Sequence, residues 1–170
     1  MNPSPIRNAG QDDLPLLAAI ESRAAERFSA DDLPPKQRGA TQGQGALQQA
    51  LAAGLLWVAL APSGELAGFL MAEDCGDALH VVEVSVLPEH GGSGLGRALL
   101  ERAASHAAQL DFVALTLTTF AAVPWNRPFY ERLGYRVLPA EDCDVRLREH
   151  LAAEQRAGLR NRVAMRRDLA

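Results

Sequence analysis

A valine-rich segment, ALHVVEVSV, runs through a single proline into EHGGSGLGRALL, where Gly91, Gly92, Gly94 and Gly96 fall within six residues. The first segment has strand composition. Beyond the glycines, Leu95, Leu99, Ala103, Ala107 and Leu110 recur at helical spacing, which predicts a helix reaching about Gln109. Glycine loses more conformational entropy on folding than any other residue, so a cluster of it means that the main chain itself has a task. At a strand-to-helix junction the first helical N–H groups have no intrahelical partner, and the dipole end is positive. Such a junction binds phosphate, and glycine lets the ligand approach the backbone closely.

Two familiar glycine loops do not fit. A Walker A loop places Lys and then Ser or Thr after its last glycine, where this chain has Arg97 and Ala98. A Rossmann loop reads GxGxxG in the first strand–helix unit, whereas the spacing here is GGxGxG and comes after several strands. A pyrophosphate cradle of another type remains, against the plain alternative of a flexible turn before a helix.

The rest of the chain supplies the frame. Residues 6–8 start a first strand, and residues 10–28 read as a helix capped by Asp12 or Asp13, with Leu16, Ile20, Ala24 and Phe28 on its apolar face. Residues 29–45 are polar, rich in Pro and Gly, and long enough for a functional loop. A short helix follows over 46–54, then two apolar runs around PSG predict a hairpin over 55–73. After the strand at 78–88 and the glycine-led helix come a strand at 112–120, a short helix within 124–135, a strand in YRVLP, a helix over 144–158 and a final strand over 160–169. An early hairpin followed by strand–helix alternation predicts an α/β chain on a mixed sheet, residues 1–170 forming one domain.

Bulk properties narrow the function. Hydrophobic residues make up 48% of the 170, enough for a core, and the net charge of -4 argues against non-specific nucleic-acid binding. The densest basic stretch, LRNRVAMRR, reads as a terminal strand with solvated charges. Cys75 and Cys143 show neither CxxC nor a His spacing suited to zinc, so the expectation is two unpaired thiols and no metal. The N-terminus lacks the layout of a signal peptide and no apolar run is long enough for a membrane span, which predicts a cytoplasmic protein without a membrane partner.

VSVLPEHGGSGLGRALL resembles the acyl-coenzyme A motif of the GNAT superfamily of N-acetyltransferases, an alternating strand and V-x-P followed by Q/R-x-x-G-x-G/A opening a helix. Val86, Pro88, Gly94 and Gly96 match, and Gly91 stands where the family usually has Gln or Arg. NRPFYERLGY is similar to the family's N-x-x-x-Y-x-x-x-G-F/Y ending, in more compact spacing. The resemblance implies a central mixed sheet flanked by helices, with the strands at 78–87 and 112–120 splayed into a V-shaped slot. It also implies that the pantetheine arm of acetyl-coenzyme A pairs with the backbone at Val84, Ser85 and Val86. The pyrophosphate then rests on the N–H groups of Gly91, Gly92, Ser93, Gly94, Leu95, Gly96 and Arg97, and Asn126 and Phe129 contact the coenzyme. Tyr130 matches the family tyrosine near the sulfur, a candidate acid for the leaving thiolate.

The base is open between two residues. Glu83, costly to bury in a valine-rich strand, is either the base or a structural carboxylate. His80 is either a base or an edge residue. Three apart, the two face opposite sides of a regular strand, unless a bulge intervenes. On the acceptor side, Glu21 binds a cationic amine or is simply solvated, Thr118 faces the slot or is ordinary strand composition, and Trp125 packs on substrate or anchors its loop. The implied reaction is acetyl transfer to a primary amine of a small molecule or peptide by direct attack, since no cysteine lies in the motif strand for an acyl-enzyme. A non-catalytic acyl-coenzyme A sensor is the alternative. The C-terminal helix and strand are candidates for a homodimer contact.

Overall fold

A computed structural model describes residues 4–170. Seven strands form one mixed sheet in the order β1-β2-β3-β4-β5-β7-β6. They are β1 (Ile6–Asn8), β2 (Leu56–Leu60), β3 (Leu66–Asp74), β4 (Ala78–Val86), β5 (Ala114–Phe120), β6 (Arg136–Leu138) and β7 (Arg162–Asp168). Only β4 and β5 run parallel among the paired strands. The helices are α1 (Leu14–Ala24), α2 (Gln44–Ala52), α3 (Leu95–Gln109), α4 (Arg127–Arg132) and α5 (Val145–Arg156). No described helix is long and apolar enough to cross a membrane.

Both faces of the sheet are covered, so its inner strands are apolar on both sides. On one face Trp57, Leu70, Leu79, Leu115 and Met165 pack under α3, which presents Leu99, Leu100, Ala103 and Ala107. On the other, Leu56, Val58, Phe69 and Met71 meet Leu14, Leu17 and Ile20 of α1 and Leu47 and Ala50 of α2. The alternation of Leu56, Trp57, Val58 and Ala59 between these two cores is the period-2 signature of a strand. Further along that second face, Leu147 of α5 packs with Leu138, Cys143 and Ala164.

Several sequence expectations shift. The face of α1 is Leu14, Leu17, Ile20 and Glu21, while Leu16 is 53% exposed. A 3-10 turn over Gln11–Asp13 precedes the helix and another over Ala25–Arg27 ends it, so Phe28 leaves the helix in extended conformation. Asp13 does not cap through its side chain onto the helix. It accepts from the Gly10 N–H (2.7 Å) and pairs with both Arg7 terminal nitrogens. Leu110, counted in the apolar row of α3, lies past the helix end and is exposed. The last strand, β7, pairs with β5 along its length and with β6 over Ala164–Arg166.

Where β3 meets β4, Gly68 lies opposite Val86, and a Cβ there would sit 2.6 Å from the Ser85 carbonyl oxygen. That oxygen is backbone and cannot step aside. Gly68→Ala is therefore expected to cost about 1–3 kcal/mol, the range of overpacking, whereas Gly45→Ala, with open space around an exposed helical position, should gain roughly 0.5–1 kcal/mol. Thermal unfolding of the two variants checks this: Gly68→Ala should melt below the parent and Gly45→Ala above it.

Candidate functional site

The slot arises where β4 and β5 part. They pair only at Ala78–Ala114, Leu79–Leu115 and His80–Thr116. Beyond those residues β4 continues to Val86 beside β3, and β5 continues to Phe120 beside β7. The strands splay, as the resemblance implies, and a cleft of about 880 Å³ opens between them.

A bulge sets which side chains reach it. Glu83 lies opposite Met71 and Val81 opposite Ala72, which leaves Val82 as the extra residue of β4. Val84 and Val86 pack toward the α3 core and Val82 toward the α1–α2 core. The bulge also places His80 and Glu83 on the same face, against the alternation of a regular strand. They do not share an environment. Glu83 lines the cleft, whereas His80 lies outside its wall, buried under α5 with its ring stacked on His150 at 4.4 Å. Its Nδ1 shares a hydrogen bond with Thr116 Oγ1 (2.9 Å), and burial, with the His150 charge, pushes its pKa down to about 4.

At the mouth of the slot the glycine segment turns into α3. Gly92 (φ 75°) and Gly94 (φ 86°) are left-handed, a conformation other residues adopt only with strain. Gly94 caps the helix without a side chain, and Ala98 is the first residue whose N–H bonds back, to the Gly94 carbonyl (3.0 Å). The Gly91 and Ser93 N–H groups are used within the loop, on the carbonyls of Pro88 and His90. The amides of Gly92, Gly94, Leu95, Gly96 and Arg97 have no internal acceptor among the described residues. The cradle is thus five amides rather than the seven expected, and it opens on the cleft. A Cβ on Gly96 would make only an ordinary 3.5 Å contact with Phe129, so the fold does not demand glycine there.

Three carboxylates line the cleft, those of Glu21, Glu83 and Glu154. Burial, then the charge of Glu21, pushes the Glu83 pKa up to about 8, although Ser85 Oγ donates to Glu83 Oε1 (2.7 Å). Burial also raises the Glu21 pKa, against the Gln42 N–H that donates to Glu21 Oε2 (2.8 Å). Glu21 is one of the few buried charged residues, so it is not a solvated surface group.

Tyr130, on α4, lines the same cleft. Its hydroxyl makes no hydrogen bond among the described residues, yet it is not sealed away like the Tyr135 hydroxyl. Burial, reinforced by the Glu83 charge, raises its pKa, so it holds its proton at any working pH. The Asn126 side chain, at the start of α4, donates to Thr119 Oγ1 and ties α4 to β5.

Two further charges were invisible in the sequence. Arg162, read there as a solvated strand residue, is only 16% exposed in its side chain. It pairs with Glu154 of α5 (3.0 Å) and lies 4.4 Å above the Phe120 ring. Thr118 Oγ1 donates to Glu154, so Thr118 does face the cleft but is already occupied. Trp125 lines the cleft and packs on Phe28 (4.9 Å) and under the Arg27 guanidinium (4.0 Å), contacts that tie it to the segment after α1. Arg162 belongs to a strand whose alternation hides which charges are covered, and Glu154 lies on a helix of low apolar content. No local signal singles out either.

The family model described as "Acetyltransferase (GNAT) domain" matches residues 52–137. Among solved structures, the chain is similar to PaiA N-acetyltransferase from Thermoplasma acidophilum in complex with coenzyme A, at 15% identity and TM-score 0.73, over 96% of this chain and 97% of that one. It is similar to the ribosomal-protein-S18-alanine N-acetyltransferase from Escherichia coli at 18% identity and TM-score 0.69, over 97% and 93%. It is also similar to N-acetylglutamate synthase from Neisseria gonorrhoeae complexed with coenzyme A and N-acetyl-glutamate, at 17% identity and TM-score 0.72. There it covers 97% of its own length and 35% of the larger protein. The matched stretch contains β4, its bulge, the left-handed glycines and α4, and with half the chain aligned to that model the protein belongs to the GNAT acetyltransferase family.

Proposed function

We propose that the protein transfers an acetyl group from acetyl-coenzyme A to a primary amine of a small molecule or peptide, by direct attack in a ternary complex. The observation that carries this reading is the set of free amides at Gly92, Gly94, Leu95, Gly96 and Arg97, at the mouth of a slot that also holds Glu83 and Tyr130. Main-chain donors at a helix N-terminus suit a diphosphate, and the unpaired stretch of β4 at Val84, Ser85 and Val86 suits an extended pantetheine. Because these contacts are backbone, Gly91 in place of Gln or Arg removes one side chain and leaves the cradle. The coenzyme complexes of the similar proteins, and their amino-acid or protein acceptors, support the same assignment.

The chemistry follows from the residues. A free alkyl amine has a pKa of about 10.4 and must lose a proton to attack. Glu83, raised to about 8, is a far stronger base than an ordinary carboxylate and takes that proton. The amine nitrogen bonds to the thioester carbon, and a β4 N–H facing the slot stabilises the oxyanion. The C–S bond then breaks, Tyr130 gives its proton to the departing thiolate, and the second proton of the amine nitrogen returns to the Tyr130 oxygen, leaving a neutral amide and a free thiol. Glu21 faces the incoming ammonium. His80, outside the cleft, has no part in the transfer.

Tyr130→Phe should lower kcat by roughly 10²- to 10⁴-fold with the affinity for acetyl-coenzyme A little changed, read from thiol release against an amine panel and from calorimetry. Tight coenzyme binding without turnover on any amine would establish the sensor reading instead. A base must be deprotonated to act, so kcat/KM should rise with pH through an inflection near 8. Glu83→Gln should lower the rate and remove that inflection; a profile unchanged by the substitution excludes Glu83 as the base.

A further inference from the structure

Away from the transfer cleft, the end of β3 and the middle of α5 bring a thiol, a carboxylate and an imidazole together. Glu73 Oε1 lies 2.9 Å from His150 Nε2 and 3.7 Å from Cys75 Sγ. The three ligand atoms all fall within 4.8 Å of one another. We propose that Glu73, Cys75 and His150 form a binding site for a divalent transition-metal ion of the zinc type. This revises the expectation from Cys and His spacing, because the imidazole arrives from 75 residues further along the chain.

The distances fit. Zinc bonds of about 2.0 Å to oxygen and nitrogen and 2.3 Å to sulfur put tetrahedral ligand edges at roughly 3.3 Å for O–N and 3.5 Å for O–S. The observed O–N and O–S separations straddle these within a few tenths of an ångström, and the sulfur and nitrogen lie within 4.8 Å of each other. A thiolate and a carboxylate neutralise the ion, and three protein ligands leave a fourth position for water or another small donor. Without a cation, the three groups converge with one strong hydrogen bond among them, the carboxylate–imidazole contact.

The ligands are also held in place from behind. The His150 ring stacks on His80 at 15°, and His80 is in turn fixed on Thr116. The stack restricts rotation of the imidazole that carries the ligand nitrogen. Glu73 and Cys75 are two apart at a strand end, and the turn beyond them is pinned by Cys75 N–H on the Ala78 carbonyl (3.0 Å) and Gly76 N–H on Asp74 Oδ1 (2.8 Å).

The surrounding charges are mixed. Glu149 and Arg156 flank the cluster, and Arg146 lies beside Cys75 while donating to the Asp74 carbonyl (2.9 Å). Arg146 is the competing cation. Being fully exposed, it can swing into solvent when the metal enters. His150 precedes Glu154 by one helical turn, so the ion would sit beside the transfer cleft and not in it.

The test uses the full chain, reduced and stripped of metal. Titration with Co²⁺ as a spectroscopic probe should give a thiolate-to-metal charge-transfer band and the intense visible bands of a tetrahedral site, saturating at one ion per chain, and Zn²⁺ should displace it. Cys75→Ser should abolish the charge-transfer band. Glu73→Gln and His150→Ala should each raise Kd by more than about tenfold, the loss that even outer-shell changes cause. Arg146→Ala should tighten binding. Circular dichroism confirms that each variant folds. Absence of the charge-transfer band in the parent overturns the site. So does a band that keeps its affinity in the Glu73→Gln/His150→Ala double variant, since that is a lone thiol capturing metal.

Discussion

Three residue pairs hold β4 to β5, and everything at the site depends on their being only three. Parallel pairing that continued past His80 and Thr116 would close the sheet and leave no unpaired β4 backbone. The cost of the splay is a stretch of main chain without its ladder partner, and exposed backbone groups left unpaired are expensive wherever water is excluded. The fold pays for this on the far side, where β7 inserts between β5 and β6 and gives β5 a full seven-pair ladder. An extended ligand carrying its own amides is the complement such a gap requires. The bulge at Val82 belongs to the same arrangement, since it turns Glu83 toward α1 while Val84 and Val86 still pack under α3.

Electrostatics in the cleft select for the same kind of partner. Glu21 and Glu83 are both buried, burial raises the pKa of each, and the charge of Glu21 further opposes the ionisation of Glu83. Arg162 offsets part of this, but it is already engaged by Glu154 and the β5 backbone. A cation entering between the carboxylates would relieve their repulsion and satisfy their lone pairs at once. An ammonium group does so, and it surrenders a proton where a quaternary or guanidinium cation does not. The raised pKa of Glu83 comes first from burial and then from the charge of Glu21, and a pair of acids so placed suits the primary amine proposed as acceptor.

Much of the frame was legible because it is local. The glycine cluster announced a strand-to-helix turn, the PSG hairpin announced β2 and β3, and the apolar row from Leu95 to Ala107 announced α3. The errors also have local causes. A one-position shift in α1 came from 3-10 turns at both of its ends, which periodicity cannot see, and it concealed that Glu21 belongs to the buried face. The side on which His80 and Glu83 stand hung on a bulge that depends on register with β3. Arg162, Glu154 and the Glu73–Cys75–His150 group are invisible locally because each is assembled across long stretches of chain. Spacing rules detect ligands only when the same element, or the next one, supplies them.

The division of labour along the chain follows from this. The segment matched by the family model, residues 52–137, carries β4, the amide cradle and Tyr130. Several of the groups that would meet the acceptor lie outside it. Glu21 and Phe28 come from α1 and the turn after it, Gln42 from the loop before α2, Glu154 from α5 and Arg162 from β7. They are joined to one another by a few specific contacts: Gln42 N–H on Glu21, Gln37 on the Ala157 carbonyl, Arg38 on the Phe28 carbonyl, and Phe28 against Trp125 and Phe120. A wall built this way can be re-cut by changing residues in the 29–43 loop or α5 without disturbing the splay or the cradle. On the proposed function, acceptor identity would rest on these parts of the chain, outside the segment that the family model matches.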